Sequence, residues 1–269
     1  MRERSGLLMF MGISIRDRIA FVTGASAGIG KSTALALAKE GAKLLLCARS
    51  TDALNATRDE FLQAGASAVH TLALDVRDRA AVADAIANLP EAWRAVDILV
   101  NNAGLARGMD KFYLDDIDNW EEMIDTNTKG LLYVTRAILP GMVERNRGHV
   151  VNLGSTAGWT AYAGGSVYCA TKAAEKILSE GIRIDLMGTA VRVTSVDPGM
   201  VETRFSEVRF GGDKERAAKV YANTTPLSPD DVADAIVWAV TRPAHVNVSS
   251  LLLTSIDQAN AVTIHRRNP

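Results

Sequence analysis

Seven short apolar runs alternate with amphipathic stretches along this chain, and no other feature constrains its fold as much. The runs RIAFVTG (18–24), KLLLCAR (43–49), AVHTLALDV (68–76), VDILVNNAG (96–104), GHVVNLGS (148–155), VRVTSVDPG (191–199) and SSLLLTS (249–255) read as strands. Near-continuous apolarity, rather than in–out alternation, belongs to strands of a parallel sheet covered on both faces. Helical patterns fall between them: 30–42, 51–65, a stretch ending at Asn88, about 119–145, 166–188 and 228–243. Gly41 is placed to cap the first of these at its C-terminal end. Pro140 is expected to bend the long one. Ser228 caps the last, with Pro229 in its first turn and Pro243 as its stop. The expectation is a doubly wound α/β fold, with about seven parallel strands and helices on both faces.

Composition agrees. The chain has 269 residues, 48% hydrophobic and 23% charged, as in a globular protein. A single domain of this length buries about 75% of its unfolded surface. Residues 17–269 read as that domain, and 1–16 as a flexible N-terminal extension. Within the extension, the apolar run of MRERSGLLMFMGIS is too short for a signal-peptide core, and no convincing cleavage site follows. No run reaches the ~20 apolar residues of a membrane helix. The formal net charge of −1 shows no basic surplus for nucleic acid. Cys47 and Cys169, the two cysteines, read as buried reduced thiols, which fits a cytoplasmic protein. The four histidines are scattered without metal-ligand spacing, so no metal is expected.

The turn TGASAGIGKS (23–32) follows the first strand and opens the first helix. Its glycines let the backbone approach a pyrophosphate, and the helix start offers free N–H groups. The spacing G-x-x-x-G-x-G differs from the commonest dinucleotide fingerprint, and three glycines here also suit plain turn chemistry. With the fold, the turn marks a Rossmann-type nucleotide site, in which Gly24, Ser26, Gly28, Ile29 and Gly30 contact a cofactor. At the end of the second strand, where an acid would hold the ribose of NAD, stand Ala48, Arg49 and Ser50. Arg49 would pair with a 2′-phosphate, pointing to NADP(H). The competing reading is a solvated arginine with mixed cofactor use. Asp75, beside Val76, would accept from the adenine amino group or cap the next helix. The segment 199–226 is charged and follows a strand's C-terminal end, so it reads as a substrate-covering segment.

Tyr168 and Lys172 lie four apart on a helical stretch and so share a face. A phenol ordinarily titrates near about 10. An adjacent ammonium and a nicotinamide cation favour the phenolate, which makes a usable acid/base. Ser155 ends the fifth strand, where its hydroxyl would orient a substrate oxygen. Many ordinary amphipathic helices carry Y-x-x-x-K, so the pair alone decides little.

In order along the chain stand the T-G-x-x-x-G-I-G turn, NNAG (101–104), IDTNTKG (124–130), LGSTAG (153–158), YCATK (168–172) and DPGMVETRF (197–205). Together they resemble the short-chain dehydrogenase/reductase superfamily over nearly the whole chain from about Asp17. The resemblance implies that Tyr168 is the acid/base and that Lys172 lowers its pKa and holds the nicotinamide ribose. It implies that Ser155 positions the reacting oxygen, and that Asn127 kinks the long helix and supports a water relaying protons to Lys172. Asn102, Ala103 and Gly104 would line the cofactor's ribose. Pro198, Gly199, Val201 and Thr203 would seat the nicotinamide. NNAGLARGM, YAGGSVYCATK and PAHVNV are similar, more narrowly, to NADP-dependent 3-hydroxy acid dehydrogenases, a group acting on serine, L-allo-threonine and malonic semialdehyde. The stretch after Gly199 is one residue shorter than in that group. The resemblance also implies a homotetramer built on the helices at 119–145 and 166–188, with the C-terminal tail reaching a neighbour.

A small anionic hydroxy acid needs a cation, usually arginine. Arg209 in the covering segment is the first choice, ahead of Arg204 and Arg107. Gln258 would donate to the acid or pack the tail. Tyr162 would wall the pocket or serve as a structural aromatic. Other carbonyl substrates compete with this reading: sulfoacetaldehyde, a 3-ketoacyl thioester, a steroid or a sugar. A non-catalytic dinucleotide sensor would not need Asn127, Ser155, Tyr168 and Lys172 together. A serine hydrolase would need G-x-S-x-G, and Leu153 breaks that pattern.

Overall fold

The computed structural model describes residues 12–268. Seven parallel strands form one sheet in the order β3-β2-β1-β4-β5-β6-β7. They are β1 (Ile19–Thr23), β2 (Lys43–Ala48), β3 (Ala68–Ala73), β4 (Val96–Asn101), β5 (Gly148–Leu153), β6 (Val191–Pro198) and β7 (Ser250–Leu253). Every residue of β1, β4 and β6 is buried, so the apolar runs correspond to strands covered on both faces. Period-two geometry divides β1 between two cores. Ala20 and Val22 join the cluster under α1 (Gly28–Lys39) and α11 (Pro229–Val240). Ile19 and Phe21 join the cluster under α4 (Arg79–Ala87) and α7 (Leu131–Glu144).

The chain order reverses direction between β1 and β4, and a crevice opens there at the carboxyl ends of the strands. Asn102 bridges the two sides: its Nδ2 donates to the carbonyls of Thr23 (2.8 Å) and Gly24 (3.1 Å). Thr23 Oγ1 in return accepts from the N–H groups of Asn102 (3.0 Å) and Ala103 (2.9 Å).

Most helices fall where periodicity placed them, with local departures. After α1, Gly41 adopts φ +80°, its N–H reaches Ala38 O and that of Ala42 reaches Leu37 O. This reciprocal pair is a Schellman stop, and the left-handed residue it requires is the glycine. The expected helix at 51–65 is two short ones, α2 (Asp52–Ala56) and α3 (Arg58–Gln63). Thr57 separates them and turns its hydroxyl back onto the carbonyls of Ala53 and Leu54. A one-turn helix, α5 (Glu91–Arg94), went unexpected. The long helix at 119–145 divides differently from the expectation: α6 (Ile117–Met123) passes through a π-helical turn at Ile124–Gly130 into α7, which carries Pro140 within it. The main interruption is therefore the π turn rather than the proline. The helix that carries Tyr168 and Lys172 is α8 (Ser166–Asp185). The segment 199–226 contains α9 (Phe205–Arg209) and α10 (Lys214–Tyr221).

Of the expected flexible extension, residues 1–11 lie outside the described residues. In 12–16, Ile13 N–H donates to Thr241 O at 2.7 Å and Ile15 is buried in the core, while the other residues are exposed. Ile15, just before β1, thus joins the core although it falls in that expected extension. Among the described residues, no helix is long and apolar enough to cross a membrane.

Candidate active site

The crevice is a cleft of about 360 Å³. Along its floor runs the glycine turn, with Gly24 and Gly28 at positive φ (64° and 54°), where side chains are disfavoured. Gly30 sits behind it, and a Cβ there would collide with Asn102 Nδ2 and Gly24 O. Ala27 begins α1 without a side-chain cap, so the first N–H groups of that helix remain available to an anion. Ser26 and Ile29 line the same floor. This cradle fits a dinucleotide's pyrophosphate, judged on its shape and its free donors.

At the adenosine end, Arg49 lines the cleft, exposed, and makes no ion pair among the described residues. A free guanidinium suits a 2′-phosphate. Ser50 lies off the cleft and its Oγ accepts from Asp52 N–H, so the structure makes it a turn residue. Asp75 and Val76 line the cleft, but both carboxylate oxygens of Asp75 are engaged by Arg77, at 2.6 Å and 3.0 Å. Hydrogen bonding from Arg77 holds the Asp75 carboxyl below its usual range, against the opposing effect of burial. Sequence reasoning missed Arg77, whose i, i+2 placement after a strand carried no periodic signal. Arg77 also meets Glu122 (3.5 Å), which pairs with Arg107 (2.6 Å), and Arg107 donates to Val208 O (2.8 Å). A chain of alternating charges thus runs from the adenosine end to α9.

Asn102, Ala103 and Gly104 line the middle of the cleft, and Pro198, Gly199, Val201 and Thr203 its far wall. A Cβ built on Gly28 would stand 3.5 Å from Thr203 Cγ2, so the turn and the far wall face each other closely. Gln258 is a correction. Its Oε1 accepts from Met200 N–H (2.7 Å) and its Nε2 donates to Asn260 O (3.1 Å). It is buried and outside the cleft, where it fixes the backbone after Gly199 and keeps its amide from a substrate.

Ser155, Tyr168 and Lys172 come together on the cleft wall. Ser155 sits just past β5 and its Oγ accepts from Ala157 N–H at 3.1 Å, which leaves its hydroxyl proton free. Tyr168 and Lys172 share the buried face of α8. Lys172 Nζ donates to Leu153 O (2.6 Å) and to Glu175 Oε2 (2.8 Å). Burial opposes the charge on Lys172, but Glu175 and then Tyr168 outweigh it and raise the lysine above its ordinary value. Asn127 lies in the π turn behind the cleft. Its Oδ1 accepts from Leu105 N–H (2.8 Å), and its Nδ2 donates to Leu105 O (2.8 Å) and Thr171 Oγ1 (3.1 Å). It therefore clamps the 104–105 backbone onto α8. π turns of this kind recur at functional sites.

Arg209 reaches the same place from α9. Its guanidinium carbon is 5.0 Å from the Tyr168 ring centre, and its Nη2 donates to Tyr162 Oη at 2.6 Å. Burial pushes the Tyr162 phenol up to about 12 although the Arg209 cation opposes it, so Tyr162 keeps its proton. Phe205 packs on Tyr168 with ring centres 5.6 Å apart. Arg209 borders an adjoining cavity of about 470 Å³ rather than the main cleft. Of its rivals, Arg107 is tied up by Glu122, whereas Arg204 is 78% exposed and 3.7 Å from Glu207. No group of three His, Cys, Asp or Glu able to hold a metal occurs among the described residues.

A Rossmann-type sheet with a glycine cradle at its switch point and Ser, Tyr and Lys on one wall defines a class of nucleotide-dependent oxidoreductases. The family model "short chain dehydrogenase" matches residues 18–212, and the chain belongs to that family. Among curated relatives, the NADP-dependent 3-hydroxy acid dehydrogenase YdfG of Salmonella typhi is 50% identical over 250 residues, covering 92% of this chain and 99% of the relative. The NADP-dependent 3-hydroxy acid dehydrogenase of Schizosaccharomyces pombe is 42% identical, covering 91% of this chain and 95% of its own. Among solved structures, the closed form of serine dehydrogenase complexed with NADP+ superposes with a TM-score of 0.86 at 48% identity, covering 93% of this chain and all (100%) of that one.

Proposed function

We propose that this chain is an NADP(H)-dependent dehydrogenase that interconverts the 3-hydroxyl of a small hydroxy acid, such as serine, allo-threonine or 3-hydroxypropionate, with the corresponding carbonyl. The observation that carries this reading is the Arg209 guanidinium 5.0 Å from the Tyr168 ring, a cation beside the acid/base phenol. Relatives named for NADP-dependent 3-hydroxy acid oxidation support it.

NADP(H), when bound, accepts or supplies the hydride. The rest falls to the protein. Arg49 holds the 2′-phosphate, the Gly24–Gly30 turn and the start of α1 the pyrophosphate, and Asn102, Ala103 and Gly104 the neighbouring ribose. Pro198, Gly199, Val201 and Thr203 seat the nicotinamide. Ser155 donates a hydrogen bond from its free hydroxyl to the substrate oxygen and orients it. Tyr168 takes the alcohol proton in oxidation and returns it in reduction, and the Lys172 ammonium favours the phenolate that does so. Asn127 keeps the backbone between these groups in place. Arg209, steadied by Tyr162, takes the acid group of the substrate.

The chain acts as one catalytic domain that takes in Ile15 as well as the residues from Asp17 on, with 199–226 covering the substrate. The assembly is a homotetramer. Ile177, Ile184 and Met187, at the outer face and end of α8, are exposed apolar side chains that such packing would cover. Both cysteines are free and buried, which suits the cytoplasm.

Initial rates with NADP+ and NAD+ test the proposal, using L-serine, L-allo-threonine, 3-hydroxypropionate, 3-hydroxyisobutyrate and isethionate, with Tyr168→Phe as the blank. Turnover with NADP+ that falls at least ~100-fold in the variant is expected. NADPH binding with no turnover of any acid would contradict the substrate class.

A further inference from the structure

Glu175 lies one helical turn beyond Lys172 and points the same way. Its Oε2 is 2.8 Å from Lys172 Nζ, and the two residues are 2% and 7% exposed. A lysine ammonium has three protons to donate. Here one goes to Leu153 O and one to Glu175, so one is left for the cleft. The other carboxylate oxygen of Glu175, Oε1, is buried without a hydrogen-bond partner. A buried ion pair kept for stability alone would be expected to satisfy that oxygen, because an unpaired acceptor in low dielectric is costly.

Few other charges face this pair. Tyr168 stands on the same helix. Asp197 of β6 faces it from the sheet, held by Ser195 Oγ (2.6 Å), Ser250 Oγ (2.8 Å) and Trp159 Nε1 (3.2 Å). Lys176 packs over the Trp159 ring at 3.6 Å. From α9, Arg209 lies over Tyr168. The π turn packed on α8 contributes neutral Asn127 and Thr126, while its charged residues Asp125 and Lys129 pair with each other at the surface. Lys172 is thus a buried cation on the same helix face as one phenol and in contact with one carboxyl group, Glu175.

We propose that Glu175 is a positioning residue for proton transfer, holding the Lys172 ammonium against Leu153 and setting how much of its charge acts on Tyr168. The inference rests on the reading of Tyr168 as acid/base and Lys172 as its partner. With Glu175 protonated, the lysine charge acts on the phenol unopposed. With Glu175 ionised, that charge is partly neutralised and the phenolate is less favoured. Burial pushes the Glu175 carboxyl up to about 7 against the pull of Lys172.

Glu175→Gln keeps the shape and an acceptor for Lys172 but removes the charge. The pH profile of kcat/KM for alcohol oxidation with NADP+ is the first readout, and absorbance at 295 nm, wild type minus Tyr168→Phe, is the second. Both should move to lower pH in Glu175→Gln by about one unit, the low end for removal of a nearby charge. Glu175→Met, equally neutral, should move them the same way. A uniform loss of kcat with no shift in either readout would make Glu175 a structural partner only and overturn the proposal. Failure of both variants to fold would do the same. Full activity in Tyr168→Phe would instead overturn the acid/base reading beneath it, whatever Glu175 does.

Discussion

Arg49 makes the sharpest single-residue statement about cofactor choice. It follows β2 directly, at the adenosine end of the cleft, and makes no ion pair among the described residues. Arg49→Asp should lower kcat/KM for NADP+ by about 100-fold, since a charge-assisted pair of about 1.5–3 kcal/mol is replaced by repulsion. The ratio of NADP+ to NAD+ turnover measures this. An unchanged ratio would move the 2′-phosphate to Arg77. Cleft residues that fall within the ordered motifs were legible in the sequence: Gly24, Asn102, Ser155, Tyr168 and Lys172 all line it. Some residues outside those motifs were not. Arg77 is visible only once its fork closes on Asp75, and Gln258 reads as a candidate donor until Met200 is seen to use its oxygen. Glu175 had a signal, an acid three residues after Lys172 on the buried face, but burial is what gives it meaning.

The π turn is the element on which the site most depends. Through Asn127 it grips both backbone groups of Leu105 and the hydroxyl of Thr171. Asn127→Ala leaves buried polar groups without partners, at about 1–3 kcal/mol for each one orphaned. Denaturant melts should show a lower midpoint with an unchanged m value. An unchanged midpoint would mean the clamp contributes nothing to the fold. Residues 124–130 could not be told from an α-helix in sequence, because one inserted residue alters the hydrogen-bond ladder without altering composition. The same limit explains why Pro140 drew attention instead. It lies in α7, and the helix continues past it to Glu144. Helices α9 and α10 went unseen in 199–226 because they are short, five and eight residues, and α10 is mostly polar.

At the scale of the whole molecule, a parallel sheet of seven strands with helices on both faces followed from the alternation of apolar runs, whereas the strand order came only from the structure. The buried interior carries a pH dependence that pattern did not reveal. His149 on β5 is buried, with Nε2 at 2.8 Å from Thr194 Oγ1. That hydroxyl donates to Val248 O, so it accepts from His149 Nε2–H and leaves Nδ1 unprotonated and unpartnered. Burial holds the imidazole well below its usual value. The unfolded chain therefore takes up a proton the folded one refuses. Stability attributable to His149 is present above about pH 6.5 and falls below it, by at most about 1.4 kcal/mol per pH unit. Glu175 acts oppositely: its raised value favours the fold at lower pH and loses that contribution as pH rises through about 7. Urea melts of wild type and His149→Asn at pH 7 and pH 5 separate the two. The gap between the proteins should narrow at pH 5, and a constant gap would contradict the buried neutral imidazole.

The central claim is that a cation beside the catalytic phenol selects an acid. Its most direct test is kcat/KM with NADP+ for 3-hydroxypropionate against propane-1,3-diol, in wild type and in Arg209→Met. The diol keeps the reacting hydroxyl and lacks the carboxylate. Wild type should prefer the acid by at least about tenfold, the worth of one charge-assisted hydrogen bond, and Arg209→Met should lose most of that preference while still oxidising the diol. Equal use of acid and diol by wild type, or a preference that survives Arg209→Met, would contradict the account.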